Sequence, residues 1–489
     1  MPRFVALPVL LAFSALAACG SSKSDGAAPA SSSGGAAGSG AAGAGGSAGA
    51  SVIDVPGDLG TTSTVINHAG PNGGFPGPAA TGVITNPTWA AAGCGDVPVA
   101  MGVTDVAWSS EAYDDVGATP GRSPYAVHAS FRFDTASSVS VVWSTGPSTR
   151  ASVVAIGDSP DKLDRFAEGV SFTYSSTILD HASPMRVHEA HLCGLQPDRT
   201  YYYAVGGDGY WGAVHAFKTA PAAATHAPFR IGVFGDSNNL VYSDFKVVVD
   251  RMKAESPDFI AFSGDLVHDG AIQTQWDAWF EASGDLFASS PILAAHGNHE
   301  AMATAYFAQF AQPGNEEYYS FDYGNAHFVV LNDSPPDDAE FDVEAKFLEA
   351  DLAAAVARPN PPRWLVSMHH RPPYTSSGES FANPLKYFTP IYDKYHVDMV
   401  INGHEHCYES TKPIKNGAAV PTYAEGTFYL TTGGAGGLLN LPTFTQAPWS
   451  RTYKPVYNYV TIDVAGPKLT VHAYANDGSL LEDPIVIQK

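Results

Sequence analysis

Between residues 229 and 406 an apolar run breaks off into a polar cluster five times. The clusters are Gly235-Asp236-Ser237-Asn238, Gly264-Asp265, Gly297-Asn298-His299-Glu300, His369-His370 and Gly403-His404-Glu405-His406. Apolar runs this short read as buried strands, and helical patterns fall between them. Strands are expected at 229–234, 258–262, 291–295, 327–331, 364–368, 397–401 and 428–430, with helices at 244–255 and 273–287. In the second helix Trp276, Trp279 and Phe280 fall on one side. Strands alternating with helices give an α/β architecture, whose functional residues gather just past the strand C-termini. The pattern predicts one site assembled from five loops.

Each cluster alone is weak evidence. A Gly-Asp after a strand is common, and a His pair at a strand end can be purely structural. Their shared placement gives them weight. Carboxylates, imidazoles and an amide oxygen are ligands for zinc, iron and manganese. Hydrolysis of a phosphate monoester is among the slowest uncatalysed reactions in water. Two cations roughly 3.5–4 Å apart bind the phosphoryl oxygens, acidify a water and stabilise the leaving oxygen. Asp265 is the natural bridge between such a pair. Asp236 and His406 suit one metal, and Asn298, His404 and a His of the 369–370 pair suit the other. His299 is placed to act as general acid to the leaving group. Glu300 and Glu405 read as residues that orient neighbouring imidazoles. Tyr374, Glu379 and the run Gly433-Gly434-Ala435-Gly436-Gly437 are candidates for the cleft wall, the glycine run being read as a loop with unusual backbone angles.

These motifs resemble the purple acid phosphatase branch of the calcineurin-like metallophosphoesterases, over residues 120–489. In that family Asp-x-Gly, Gly-Asp-x-x-Tyr, Gly-Asn-His-Glu/Asp, a strand-end His and Gly-His-x-His supply the ligands. Asp236, Asp265, Asn298, His404 and His406 match position by position. Aligning from Trp364 and from the ending Pro372-Pro373-Tyr374 makes His370 the fourth ligand, whereas counting Val-x-x-His from Val366 selects His369. We take His370, with His369 either packed beneath the sheet or supporting its neighbour. The resemblance implies an N-terminal fibronectin type III-like β-sandwich, then an α/β domain of two stacked sheets flanked by helices. It also implies two metal ions (Zn, Mn or Fe) and a phosphate-ester substrate.

Two departures stand out. His268 occupies the position of the family's tyrosinate, and Asn238 that of a glycine. Both are further candidate ligands. Tyrosinate stabilises ferric iron and gives the purple colour, so its replacement predicts a colourless enzyme with two divalent ions and no Tyr-ligated ferric iron. A divalent ion acidifies water less than ferric iron does, which predicts a neutral or alkaline pH optimum.

The remainder of the chain concerns placement. Arg3, the apolar run 4–18 and Cys19 describe a secretory signal, and Leu16-Ala17-Ala18-Cys19 resembles a bacterial lipobox with Cys19 as the lipidated residue. The predicted protein is exported and held at the membrane, in the periplasm or at the cell surface. Residues 19–50 are almost wholly Gly, Ala and Ser and read as a flexible tether. Residues 51–117 are expected to be an irregular extension, 118–220 the sandwich and 228–489 the catalytic domain. In the sandwich, strands are expected at 128–133, 138–144 and 152–157, with Trp143 in the core. The segment from Leu195 to Val205 resembles the corner at which a Tyr hydroxyl ties a loop to the sheet. The exported setting permits a disulfide, Cys94 with Cys193, while Cys407 reads as a small buried hydrophobe. Forty-nine acids against 26 bases, a net charge of −23, argue against a nucleic-acid partner. The main reading is a phosphomonoesterase. The alternatives are a phosphodiesterase or nucleotide pyrophosphatase on the same site, and a surface binding protein with a vestigial metal site.

Overall fold

The structure is a computed structural model that describes residues 88–91, 94–98, 103–108, 123–174, 185–206, 211–334, 338–377, 381–440 and 445–489. All belong to one compact unit, Val52–Lys489. The expected signal, tether and Cys19 lie outside the described residues, as does Glu379. No described helix is long and apolar enough to cross a membrane.

The first half is a β-sandwich. One sheet has five strands in the order Val103–Trp108, Val170–Tyr174, Arg186–Cys193, Ser138–Thr145 and Tyr125–Ser130. The other has His215–Lys218, Thr200–Gly206, Val153–Gly157 and Arg165–Glu168. Trp143 and Tyr203 are fully buried between them. The Tyr201 hydroxyl accepts the Gln196 backbone N–H at 2.9 Å, forming the expected corner. The extension is not irregular where it is described. Val103–Trp108 pairs antiparallel with Val170–Tyr174, with a register break between Thr104 and Ala107. Asp105 sits at a φ of 48°, which interrupts the alternation and hides the strand in the sequence. Cys94 and Cys193 form a disulfide that fastens the hairpin Thr88–Ala91/Gly95–Pro98 region to the sandwich. The strand expected at 128–133 runs instead over Tyr125–Ser130.

The second half stacks two sheets. The first has the order Ile292–Ala294, Phe259–Phe262, Phe229–Phe234, Asn458–Ala465, Lys468–Ala475 and Ile485–Gln488. The second has Tyr319–Tyr323, Ala326–Val330, Trp364–Met368, Met399–Asn402, Phe428–Thr432, Tyr408–Thr411 and Ser450–Lys454. The strands that precede the five polar clusters all lie in parallel pairings, so their C-termini open at one end. Helices Ser243–Glu255 and Gln273–Ser283 cover the first sheet, burying Phe245, Val248, Trp276 and Trp279. At about 25 cal/mol per Å², each buried indole contributes on the order of 4 kcal/mol before the entropy cost. The second helix does not reach 287. Gly284 turns the chain at a φ of 57°, and a short helix Leu286–Ser289 follows. On the other sheet, helix Asp338–Val356 buries Phe341, Leu348 and Leu352.

The two halves share one core, in which Phe131 and Tyr323 meet at 5.9 Å. Tyr203 donates to the Ala288 carbonyl at 2.7 Å, and a buried Arg132–Glu316 pair at 2.5 Å crosses the contact. Phe131, Trp143, Tyr201, Tyr203 and Phe217 of the sandwich are all buried in this shared core.

Candidate metal centre

Five loops converge at the C-terminal ends of the parallel strands. Asp236 follows Phe229–Phe234, and Asp265 follows Phe259–Phe262. Both carboxylates are buried, at 0% and 1% exposure. Asp236, Asp265 and His404 all take left-handed backbone angles, with φ of 61°, 56° and 65°. A non-glycine residue held at positive φ stores strain that the surrounding structure must impose. Three such residues at one site show the loops wound tightly enough to turn side chains into it.

Two groups of donors form there. Asp265, His370 and His404 offer atoms all within 4.8 Å of one another, and so do Asp236, Asp265 and His406. Asp265 belongs to both. His370 Nε2 lies 3.2 Å from Asp265 Oδ2, and His406 Nε2 lies 3.5 Å from Asp236 Oδ1. Backbone carbonyls fix the rings from behind. His370 Nδ1 bonds to the Ser263 carbonyl at 2.8 Å, and His406 Nδ1 to the Leu438 carbonyl at 2.7 Å. A hydrogen bond on one ring nitrogen sets the tautomer and leaves the other bare for a ligand.

The electrostatics fit a cation. Burial pulls the His370 imidazole down, but Asp265 and Asp236 overcome this and raise it to about 10. Burial and the nearby His370 charge lower His404 to about 3. Burial pushes the Asp236 carboxyl up, and the charges of His370 and His406 only partly offset it. Two buried carboxylates this close call for positive charge between them. Amide oxygens add to the fit. Oδ1 of Asn298 and Oδ1 of Asn238 are both buried without a hydrogen-bond partner. Asn238 Nδ2 lies 3.4 Å from Asp265 Oδ2, which keeps that residue beside the bridge. These residues suit two cations, with Asp265 between them.

Around them the other predicted residues separate. His299 donates its backbone N–H to Asp265 Oδ1 at 2.9 Å, and its Nδ1 bonds to the His268 carbonyl at 2.6 Å. Its Nε2 then faces the centre, 3.8 Å from Asp265 Oδ2. The His268 ring is exposed, lies 5.0 Å from the His299 ring and belongs to neither donor group. His369 points elsewhere. Its Nδ1 meets Asp333 Oδ2 at 2.8 Å, and its ring packs on Phe388 and Tyr392.

Asp333 was passed over in the sequence, although it follows the apolar strand Ala326–Val330 just as the other clusters follow theirs. Its carboxylate also accepts the Arg371 backbone N–H at 2.5 Å. With both flanking residues held by Asp333, His370 is fixed between them.

Glu300 works on backbone rather than on imidazoles. Its carboxylate accepts the N–H groups of Asp265 at 2.9 Å, Leu266 at 2.8 Å and Gly297 at 2.8 Å. It thereby ties the second cluster to the third. Glu405 acts on the rim of the site. It accepts from Ser377 Oγ and from Asn440 Nδ2, the latter at 2.7 Å, so it braces two loops of the rim. Cys407 is fully buried, its thiol pushed up by burial, and belongs to neither donor group. The glycine run has no positive φ. A Cβ on Gly433 would stand 2.8 Å from Asp236 Oδ2, and one on Gly437 2.6 Å from the His406 ring. Close approach, not backbone freedom, requires glycine there. Tyr374 is buried against Tyr429 and Trp449, in the packing behind the loop.

A family model described as "Purple acid Phosphatase, N-terminal domain" matches residues 124–219, and one described as "Calcineurin-like phosphoesterase" matches 229–408. Purple acid phosphatase 21 of Arabidopsis thaliana is 29% identical over 332 residues, covering 63% of this chain and 71% of its own. The chain belongs to the purple acid phosphatase-like calcineurin-type phosphoesterases. Human acid phosphatase type 7 is 27% identical over 415 residues, covering 76% of this chain and 92% of its own. A purple acid phosphatase from yellow lupin seeds shares the fold, with a TM-score of 0.66 at 21% identity over 75% of this chain and 74% of that one. Within this family the chain is an enzyme of the metallophosphoesterase type. Its departure at His268 concerns a side chain that stands beside His299 and outside both donor groups.

Proposed function

We propose that this chain is an exported phosphomonoesterase that works with two divalent cations, for both of which Asp265 would be a donor. The observation that carries the reading is the pair of donor groups sharing that carboxylate. Asp236, His406 and Asn238 would hold one cation, and Asn298, His370 and His404 the other. When bound, the cations supply charge for the phosphoryl oxygens and acidify water at neutral pH.

The chain's own residues do the rest. Asp236 and Asp265 hold the centre at a fixed geometry, stiffened by the N–H donors that Glu300 gathers. The His370 and His406 rings are locked by carbonyls, so they need no reorganisation during turnover. With Nδ1 donating to the His268 carbonyl, Nε2, the atom that faces the centre, is the one from which His299 would deliver a proton. That proton goes to the leaving oxygen as the ester bond breaks.

No tyrosinate is expected on either cation, so the enzyme is colourless and its optimum is neutral or alkaline. Cys19 would carry the lipid anchor, with 20–50 as the tether. No nucleic-acid partner is expected at a net charge of −23.

The test is phosphate release by the full chain in detergent, reconstituted with Zn, Mn or Fe, on a chromogenic aryl phosphate and its diester. Metal-dependent release from the monoester is expected. Turnover of the diester alone would replace the reading with a phosphodiesterase. A strong visible tyrosine-to-iron band, or an optimum near pH 5, would overturn the assignment of the metals.

A further inference from the structure

The rim of the site has an unusual composition. Leu438, Leu240 and Val241 are 81%, 67% and 65% exposed, the highest values of any large apolar side chain among the described residues. All three stand on the two loops that frame His406. Leu240 and Val241 follow Asn238, whose amide lies beside Asp265. Leu438 follows Gly437, whose Cβ position is 2.6 Å from the His406 ring and 2.7 Å from Asn238 Oδ1. The Leu438 carbonyl itself holds His406 Nδ1 at 2.7 Å.

The loops are bound to each other. Asn239 Nδ2 donates to the Gly436 carbonyl at 3.2 Å, and Gly437 N–H to the Asp236 carbonyl at 2.7 Å. The apolar groups are therefore carried on a braced part of the site. Phe381 extends the same character to the other donor group, edge-on to His404 at 4.8 Å. Single exposed aliphatic residues need no explanation, but the three most exposed ones beside one reactive centre do.

We infer that Leu240, Val241 and Leu438 form an apolar lip that receives the organic part of the substrate, so the enzyme prefers phosphate monoesters of aryl or long alkyl alcohols. The inference rests on the phosphatase reading above. Apolar groups of the leaving alcohol would lose water against the lip as the phosphate enters the centre. Polar alcohols such as glycerol gain nothing there.

The experiment compares 2-naphthyl phosphate with glycerol 2-phosphate, using the metal-reconstituted full chain, the double variant Leu240→Ser/Val241→Ser and the control Leu480→Ser. Leu480 is 53% exposed on a separate turn. Wild type should favour the naphthyl ester in kcat/KM. The double variant should lose roughly tenfold or more on that ester, mainly through KM, and change less than about twofold on glycerol phosphate. The control should match wild type. Equal kcat/KM for both esters in wild type, or an equal loss on both in the double variant, would overturn the lip. So would unchanged kinetics accompanied by lost binding to phosphatidylcholine vesicles, or by a change in oligomeric state. Absence of metal-dependent turnover of either ester would instead remove the phosphatase reading beneath it.

Discussion

Both halves of the molecule bury histidines, and they bury them differently. In the sandwich, His188 is fully enclosed and both ring nitrogens are taken, Nε2 by Thr145 Oγ1 at 2.7 Å and Nδ1 by Ser152 Oγ at 2.8 Å. His191 likewise has Ser140 on one nitrogen and Glu189 on the other. At the catalytic end His370, His406 and His299 each spend one nitrogen on a backbone carbonyl and turn the other toward carboxylates. A ring satisfied on both sides is part of the packing. A ring whose second nitrogen meets only other donors of the centre, as His370 Nε2 meets Asp265 and His404 at 3.2 Å, is available for a ligand or a proton. Burial alone would not separate His370 from His188, both 0% exposed.

The largest expected effect breaks that comparison at its clearest pair. His370→Ala should lower turnover by about 10⁴-fold or more while leaving the melting temperature near that of wild type, because it removes a ligand and not a packing group. His188→Ala should do the reverse, with kcat intact and thermal stability reduced, since its ring stacks on Trp143 at 5.0 Å. Calorimetry beside an ester assay reads both. Equal losses of stability in the two variants would remove the distinction.

Acid should act on the sandwich next. Burial, helped by the Arg186 charge, lowers His188 to about 3, and burial lowers His128 to about 4. A folded-state value below the unfolded one means that the unfolded chain binds more protons between them. Stability is then full above about pH 6.5 and falls as pH drops toward 4 and 3, by about 3 kcal/mol at pH 4 from His188 alone. Urea titrations at pH 7 and pH 4 measure this, and stability that held constant between them would contradict it.

His299→Ala comes third. It should cost about 10²-fold in kcat on a poor leaving group, with much less loss on an activated aryl ester and no loss of bound metal. A fall in metal content would make His299 a ligand instead. The smallest effect sharpens the sandwich side. Tyr201→Phe removes the hydroxyl that caps the Gln196 N–H and should destabilise by about 1 kcal/mol without changing kcat.

Much of this was legible in the sequence, because the informative residues sit next to the strands that carry them. Trp364–Met368 has the bounds expected. Apolar runs ending in Asp, Asn or His mark both the strand and its functional end. What was missed has a different physical basis. Strand Tyr408–Thr411 is fully buried yet built from Glu409, Ser410 and Thr411, so no apolar period announces it. Val103–Trp108 is broken by Asp105. Glu405 and the glycine run act on groups far away in the chain, at Ser377, Asn440 and Asp236. Local pattern cannot disclose a contact between residues so distant in sequence. The choice between His369 and His370 needed the same information, since only the fold shows Asp333 holding the first and leaving the second turned to the centre.

The measurement closest to the central claim is the metal content of the reconstituted full chain, wild type beside Asp265→Asn, by elemental analysis. If Asp265 joins two cation sites, wild type holds two equivalents and the variant no more than one, with its fold intact by circular dichroism. A folded Asp265→Asn protein that still holds two equivalents, or a wild type that saturates at one, would contradict the shared carboxylate.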